Sequence, residues 1–199
     1  MPMDAPPKKA RATYEDVLRA PDTVIAEILE GELFTSPRPR GRHALAHTSL
    51  VTLLHPPFFQ GRGGPGGWWI ILEPELHIND PVDVVVPDLA GWRVGRMAAV
   101  PEGVEFRIPP DWVCELLSPS TERSDRTRKL RIYARAGVRH VWLVNASERT
   151  LEILRLDEGR WTLLDVHADQ DAVRAEPFDA VELDLSRLWQ DPAPGEAST

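Results

Sequence analysis

The sequence predicts a mixed α/β (α+β) domain: a central mixed β-sheet flanked by helices, with an N-terminal β-hairpin. Three observations predict it. The 199 residues include 42% hydrophobic residues and seven tryptophans, enough for one sizeable core. Short β-branched and aromatic runs are separated by turn residues. Two segments with helical spacing interrupt those runs instead of following them.

The elements follow in order. Thr13 starts a short opening helix, with Asp16 three residues on as its capping partner and Pro21 beyond its end. Val24 to Leu29 and Glu32 to Thr35 form the hairpin, joined by Glu30-Gly31. Arg42 to His55 carries Ala44, Leu45, Thr48, Val51 and Leu54 at helical spacing, and Pro56-Pro57 is expected to end that helix. The glycine run 61–67 reads as a flexible connection; no Lys-Ser/Thr follows to make a phosphate-binding loop. Strands are expected at Trp68 to Leu72, Glu75 to Ile78, Asp83 to Val86, Trp112 to Leu117, Val141 to Val144, Leu151 to Leu156 and Trp161 to Val166. A helix from Asp125 to Ala136 closes at Gly137. Residues 1–12 and 191–199 are expected to be disordered tails around a domain of residues 13–190.

Composition narrows the function. No apolar run approaches membrane-spanning length, no secretory signal is present, and Cys114 is the only cysteine, so a soluble cytoplasmic protein is expected. A net charge of −8 makes the chain as a whole repel nucleic acid, so any nucleic-acid contact must be local. Among 23 basic residues only Lys8, Lys9 and Lys129 are lysines. A lone internal lysine in an arginine-rich chain is a candidate for a site that needs a compact point charge.

The chemical signal is acids inside apolar strands. Glu27 lies in Val24-Ile-Ala-Glu-Ile-Leu, Asp88 follows Val84-Val-Val-Pro, and Glu115 lies in Trp112-Val-Cys-Glu-Leu-Leu. An unpartnered buried carboxylate costs several kcal/mol or takes up a proton, so each needs a cation, a donor or a proton. A single acid in a strand usually faces solvent, but both faces of the Glu115 strand are apolar. Asp88, Glu115 and the main-chain carbonyl of Leu116 would suit a hard divalent cation, which takes one or two carboxylates plus waters. Lys129 falls at the border of its helix's apolar face, defined by Leu130, Tyr133 and Ala134, where it could look into a cleft or form a surface pair with Asp125. Arg128, Arg131 and Arg135 read as a solvated stripe. Arg38, Arg40 and Arg42 beside His43 form the better candidate for a phosphate backbone. A zinc hydrolase built on His43 and His47 lacks an evident third ligand, and Cys114 in an apolar strand reads as core. Ser118-Pro-Ser-Thr reads as a turn that caps the next helix.

These residues carry a resemblance. Pro110-Asp-Trp-Val-Cys-Glu-Leu-Leu-Ser-Pro-Ser-Thr, Asp125 and Lys129, Tyr133-Ala-Arg-Ala-Gly-Val and Val141-Trp-Leu-Val resemble the Uma-type family of putative restriction endonucleases. Upstream, Glu27-Ile-Leu-Glu-Gly-Glu-Leu, His43 and Val86-Pro-Asp-Leu match in the same order, so the resemblance spans Tyr14 to Trp189. It implies a branch of the PD-(D/E)XK nucleases, with a restriction-endonuclease-like fold and metal-dependent phosphodiester hydrolysis. Pro87-Asp88 would be the PD motif, Glu115 the second acid, Glu27 an additional acid and Lys129 the catalytic lysine. Leu117 stands where Glu-X-Lys would place its lysine, so Lys129 must reach in from the following helix. The resemblance implies Mg²⁺, with Mn²⁺ as substitute, a nucleic-acid substrate (DNA in the first instance) and a homodimer. The alternative is a catalytically silent module that keeps the fold for binding or regulation.

Overall fold

The computed structural model describes residues 10–38, 41–79 and 81–189. The expected C-terminal tail and residues 1–9 of the expected N-terminal tail lie outside these. Ala12 is already attached, donating its N–H to the Gly31 carbonyl at 2.9 Å.

Helix α1 (Tyr14–Leu18) begins where expected; Asp16 Oδ2 accepts from both the N–H and the hydroxyl of Thr13. Strands β1 (Val24–Leu29) and β2 (Glu32–Pro37) form the hairpin, with Glu30 and Gly31 both at positive φ, the geometry of a tight mirror-image turn. Helix α2 (Arg42–Leu54) does not stop at the prolines but passes into a π-helical turn, His55–Phe59. The wider turn bonds Gln60 N–H to the His55 carbonyl and so passes over two residues that have no N–H to give. The glycine run after it is a defined turn, not a free connection. Arg62 and Gly66 donate to the carbonyls of Pro56 and Pro57, and a Cβ at Gly64 would lie 2.6 Å from the Pro57 ring.

The strands then divide between two sheets. One has the order β2-β1-β5-β4-β7, with β4 (Glu75–Ile78), β5 (Asp83–Val85) and β7 (Glu105–Phe106). The other has the order β11-β10-β9-β8-β6-β3, from β3 (Trp68–Leu72), β6 (Leu89–Arg93), β8 (Trp112–Leu116), β9 (His140–Asn145), β10 (Thr150–Asp157) and β11 (Arg160–Ala168). Each is mixed: β8 and β9 run parallel in the larger, β4 and β7 in the smaller, and the other pairs are antiparallel. The β8–β9 crossover carries α3 (Glu122–Ser124), a π-helical turn (Asp125–Lys129) and α4 (Leu130–Ala136), capped by Gly137 in the left-handed conformation. A small pair, β12 (Ala172–Val173) and β13 (Leu183–Asp184), and α5 (Ser186–Trp189) complete the described residues.

Strand β6 is absent from the sequence reading because Gly91 breaks its apolar pattern. The structure explains the glycine: a Cβ there would lie 3.1 Å from the Trp112 ring and 3.3 Å from that of Trp68. The core on this side is aromatic. Trp68, Trp112, Trp142 and Phe58 surround Phe178, with ring centroids 4.6 to 5.5 Å apart. Cys114 lies in the same core, fully buried, where burial raises its thiol pKa well above the usual value. With β8 buried along its whole length and inside the larger sheet, any acid it carries is held on a rigid support.

Candidate active site

Four acids and one lysine meet where the two sheets and the crossover helix converge. Antiparallel pairing of β6 with β8 sets Leu89 opposite Cys114, which brings Asp88 to the end of β8. The Leu116 N–H donates to Asp88 Oδ2 at 2.7 Å. Glu27 comes from β1, whose Ile28 pairs with Val84 of β5, and its Oε1 accepts the Val86 N–H at 2.8 Å. Glu115 is 2% exposed, and both of its oxygens are held: Oε2 by Lys129 Nζ at 3.3 Å, Oε1 by the Tyr133 hydroxyl at 2.5 Å.

Lys129 is buried, not on the surface. The helix widens into a π turn over Asp125–Lys129, and Lys129 shares a buried face with Asp125 and Tyr133. Its Nζ lies 3.0 Å from Glu27 Oε1, 3.3 Å from Glu115 Oε2 and 3.5 Å from Asp125 Oδ1. Of the two readings for Lys129, the cleft rather than the surface pair is the one found, and the Asp125–Lys129 pair is interior. Burial alone would discharge the amine, but the charges of Glu115, Glu27, Asp125 and Asp88 outweigh it and hold Lys129 protonated. Burial raises the pKa of Glu115 well above the ordinary range despite Lys129, and that of Asp125 to about 6.

Two histidines on one face of α2 brace the strand ends. His47 Nε2 is 2.6 Å from the Asp88 carbonyl, and His43 Nε2 is 2.7 Å from the Leu116 carbonyl and 3.9 Å from Asp88 Oδ1. With their Nε2 atoms donating to carbonyls 73 and 41 residues away in sequence, the pair is not arranged as zinc ligands.

A cavity of about 210 Å³ opens onto this cluster and is lined by Glu27, Asp88, Glu115, Asp125, Lys129 and His43. Arg38 also reaches it, held by the Asp22 carbonyl at 2.8 Å and by Glu73 at 3.5 Å. Arg40 lies outside the described residues. Arg42 begins α2 and is not among the residues lining the cavity. The Arg128, Arg131 and Arg135 stripe is paired with hairpin acids, Arg128 to Glu32 and the other two to Glu30, with Arg135 also on Asp83. Ser118 forms the expected turn, its hydroxyl within 3.0 Å of those of Ser120 and Thr121.

Among the described residues no three His, Cys, Asp or Glu side chains form a ready-made metal cage. The donor chemistry nevertheless fits a hard cation. Four carboxylates face one lysine, burial raises the pKa values of two of them, and the Leu116 carbonyl and Asp88 both lie within reach of His43 Nε2. Two carboxylates, a carbonyl and waters match what Mg²⁺ accepts.

Sequence reasoning did not assign Tyr133, Asp125 or His47 to the site. Asp125, Lys129 and Tyr133 stand four residues apart in succession, so one signal was present: a polar stripe on a helix face otherwise read as apolar.

Residues 12–186 match the family described as "Uma2: Putative restriction endonuclease". A solved structure described as a putative nuclease belonging to DUF820, from Anabaena variabilis ATCC 29413, is similar at a TM-score of 0.71 and 23% sequence identity. The match covers 89% of this chain and 97% of that one, and shows the shared fold. No curated protein matches the chain.

Proposed function

Because the chain belongs to the Uma2 family of putative restriction endonucleases, we propose that it is a Mg²⁺-dependent endonuclease that hydrolyses phosphodiester bonds, with DNA as substrate. The observation that carries this reading is a single buried lysine held among Glu27, Glu115 and Asp125, beside Asp88 and opening onto a cavity.

Asp88, Glu115 and the Leu116 carbonyl are the groups that would hold the cation, which supplies polarisation of the phosphate and a lowered pKa for a bound water. The chain's own residues do the rest. Lys129, kept cationic by its acids, can stabilise negative charge developing on the phosphate or orient a water at its Nζ. Glu27 ties the lysine to the Val86 main chain, so amine and strand end keep one relative position. His43 and His47 hold the carbonyls of Leu116 and Asp88, fixing the two strand ends against each other. Arg38 at the cavity, with Arg40, Arg42 and His43 nearby in sequence, is the candidate contact to the phosphate backbone. A homodimer follows from the need to cut two antiparallel strands with two sites related by a twofold axis.

The test is incubation of the purified chain with supercoiled plasmid, linear duplex, single-stranded DNA and RNA, in Mg²⁺, Mn²⁺ or EDTA. Cleavage of DNA that needs the metal and disappears in Asp88→Asn is the expected result. A folded wild-type chain that cuts nothing in either metal would overturn the reading in favour of a catalytically silent binding module.

A further inference from the structure

We infer that Tyr133 is a positioning residue of the site, fixing the plane of the Glu115 carboxylate so that this acid can serve a divalent cation; the inference rests on the nuclease reading above. Tyr133 is fully buried, and its hydroxyl donates to Glu115 Oε1 at 2.5 Å. One helical turn earlier, Lys129 holds the other oxygen of the same carboxylate. The terminal torsion of a glutamate is broad and soft, so one donor leaves the carboxylate free to turn. Two donors from successive turns of one helix define its plane.

Packing alone does not account for the hydroxyl. Tyr133 belongs to the buried cluster that also holds Val113, Ile132, Val141 and Leu143, where a phenylalanine would contribute the same apolar ring without a buried polar atom. The arrangement also accounts for Leu117. A lysine two residues after Glu115 would be fixed by the strand itself, whereas a lysine borne on a helix keeps its geometry only if the helix is tied to the acid. Tyr133 is that second tie.

The 199-residue chain is titrated with Mg²⁺ by calorimetry, as wild type, Tyr133→Phe and Ile132→Val, the last being a packing control from the adjacent buried position. Tyr133→Phe is expected to weaken Mg²⁺ binding and lower kcat by about ten- to a hundredfold with KM for the nucleic acid unchanged, the size typical of losing a group that orients a metal ligand. Ile132→Val should leave both intact. A folded Tyr133→Phe chain within twofold of wild type in Mg²⁺ affinity and kcat would overturn the inference alone. Wild type that binds no Mg²⁺ would overturn the nuclease reading and this one with it.

A second measurement needs no variant at position 133. The chain has two tyrosines, so 3-fluorotyrosine labelling gives two fluorine resonances, assigned with Tyr14→Phe. Mg²⁺ should shift the Tyr133 resonance with the calorimetric midpoint and leave that of Tyr14 in place. A Tyr133 resonance that stays still while calorimetry records binding sinks the inference.

Discussion

Glu27 Oε1 lies 3.0 Å from Lys129 Nζ, with both side chains less than a tenth exposed. An isolated pair so buried would barely repay its desolvation. Here Glu115 and Asp125 face the same amine, so the lysine stabilises three acids at once, and those acids in turn keep it charged.

Removing the amine should therefore cost more than catalysis. Lys129→Met is expected to lower stability by about 3 kcal/mol or more at pH 7, because it leaves buried carboxylates unpaired. Urea unfolding at pH 7 and pH 5 checks this: the deficit should shrink at the lower pH as the acids take up protons. A variant as stable as wild type at pH 7 would mean that the acids are already neutral there.

Asp125 makes metal-free stability fall as pH rises. Burial lifts its pKa from 3.8 to about 6, so between these values the folded chain binds more protons than the unfolded one. Raising the pH through this window should cost up to about 3 kcal/mol from this residue. Asp125→Asn should flatten the slope. Unfolding midpoints from pH 4 to 7 in EDTA give the comparison; equal slopes in the two chains would contradict the assignment.

Asp88 separates chemistry from folding. Its Oδ2 accepts the Leu116 N–H, so Asp88→Ala leaves a buried donor unmet and should cost about 1–3 kcal/mol. Asp88→Asn can keep that acceptor while losing the charge. The asparagine variant should melt close to wild type and fail to cut, whereas the alanine variant should lose both. Thermal denaturation beside the plasmid assay distinguishes them.

Basic residues divide by partner. Arg38→Ala should weaken nucleic-acid binding, since Arg38 reaches the cavity. Arg131→Ala should leave binding unchanged and the melting temperature close to wild type, since it breaks an exposed pair with Glu30. Fluorescence anisotropy with a labelled duplex at two salt concentrations measures both. An equal loss from the two substitutions would assign the arginine stripe to the substrate after all.

Local features were legible where the chemistry is local. The opening cap, the Glu30-Gly31 turn, the Gly137 terminus and nine of the strands, the hairpin pair included, need only neighbouring residues to specify them. Glu27, Asp88 and Glu115 stood out because an acid in an apolar strand carries its own energetic anomaly. Strand β6 was hidden because its glycine answers to the rings of Trp112 and Trp68, which lie elsewhere in the sequence. The prolines after α2 misled because a π turn accommodates residues that an α-helix rejects.

Composition and short-range pattern are enough to read off an aromatic-rich interior, three acids out of place and one internal lysine, although the buried residues form two clusters rather than the one core expected. Long-range packing is what makes the lysine interior, brings Asp125 to the acids around it, sets Tyr133 on Glu115 and ties the arginine stripe to the hairpin. Periodicity gives the angle of a side chain on a regular helix. It does not report where the helix widens, or which strand, distant in sequence, supplies the charge that the side chain meets.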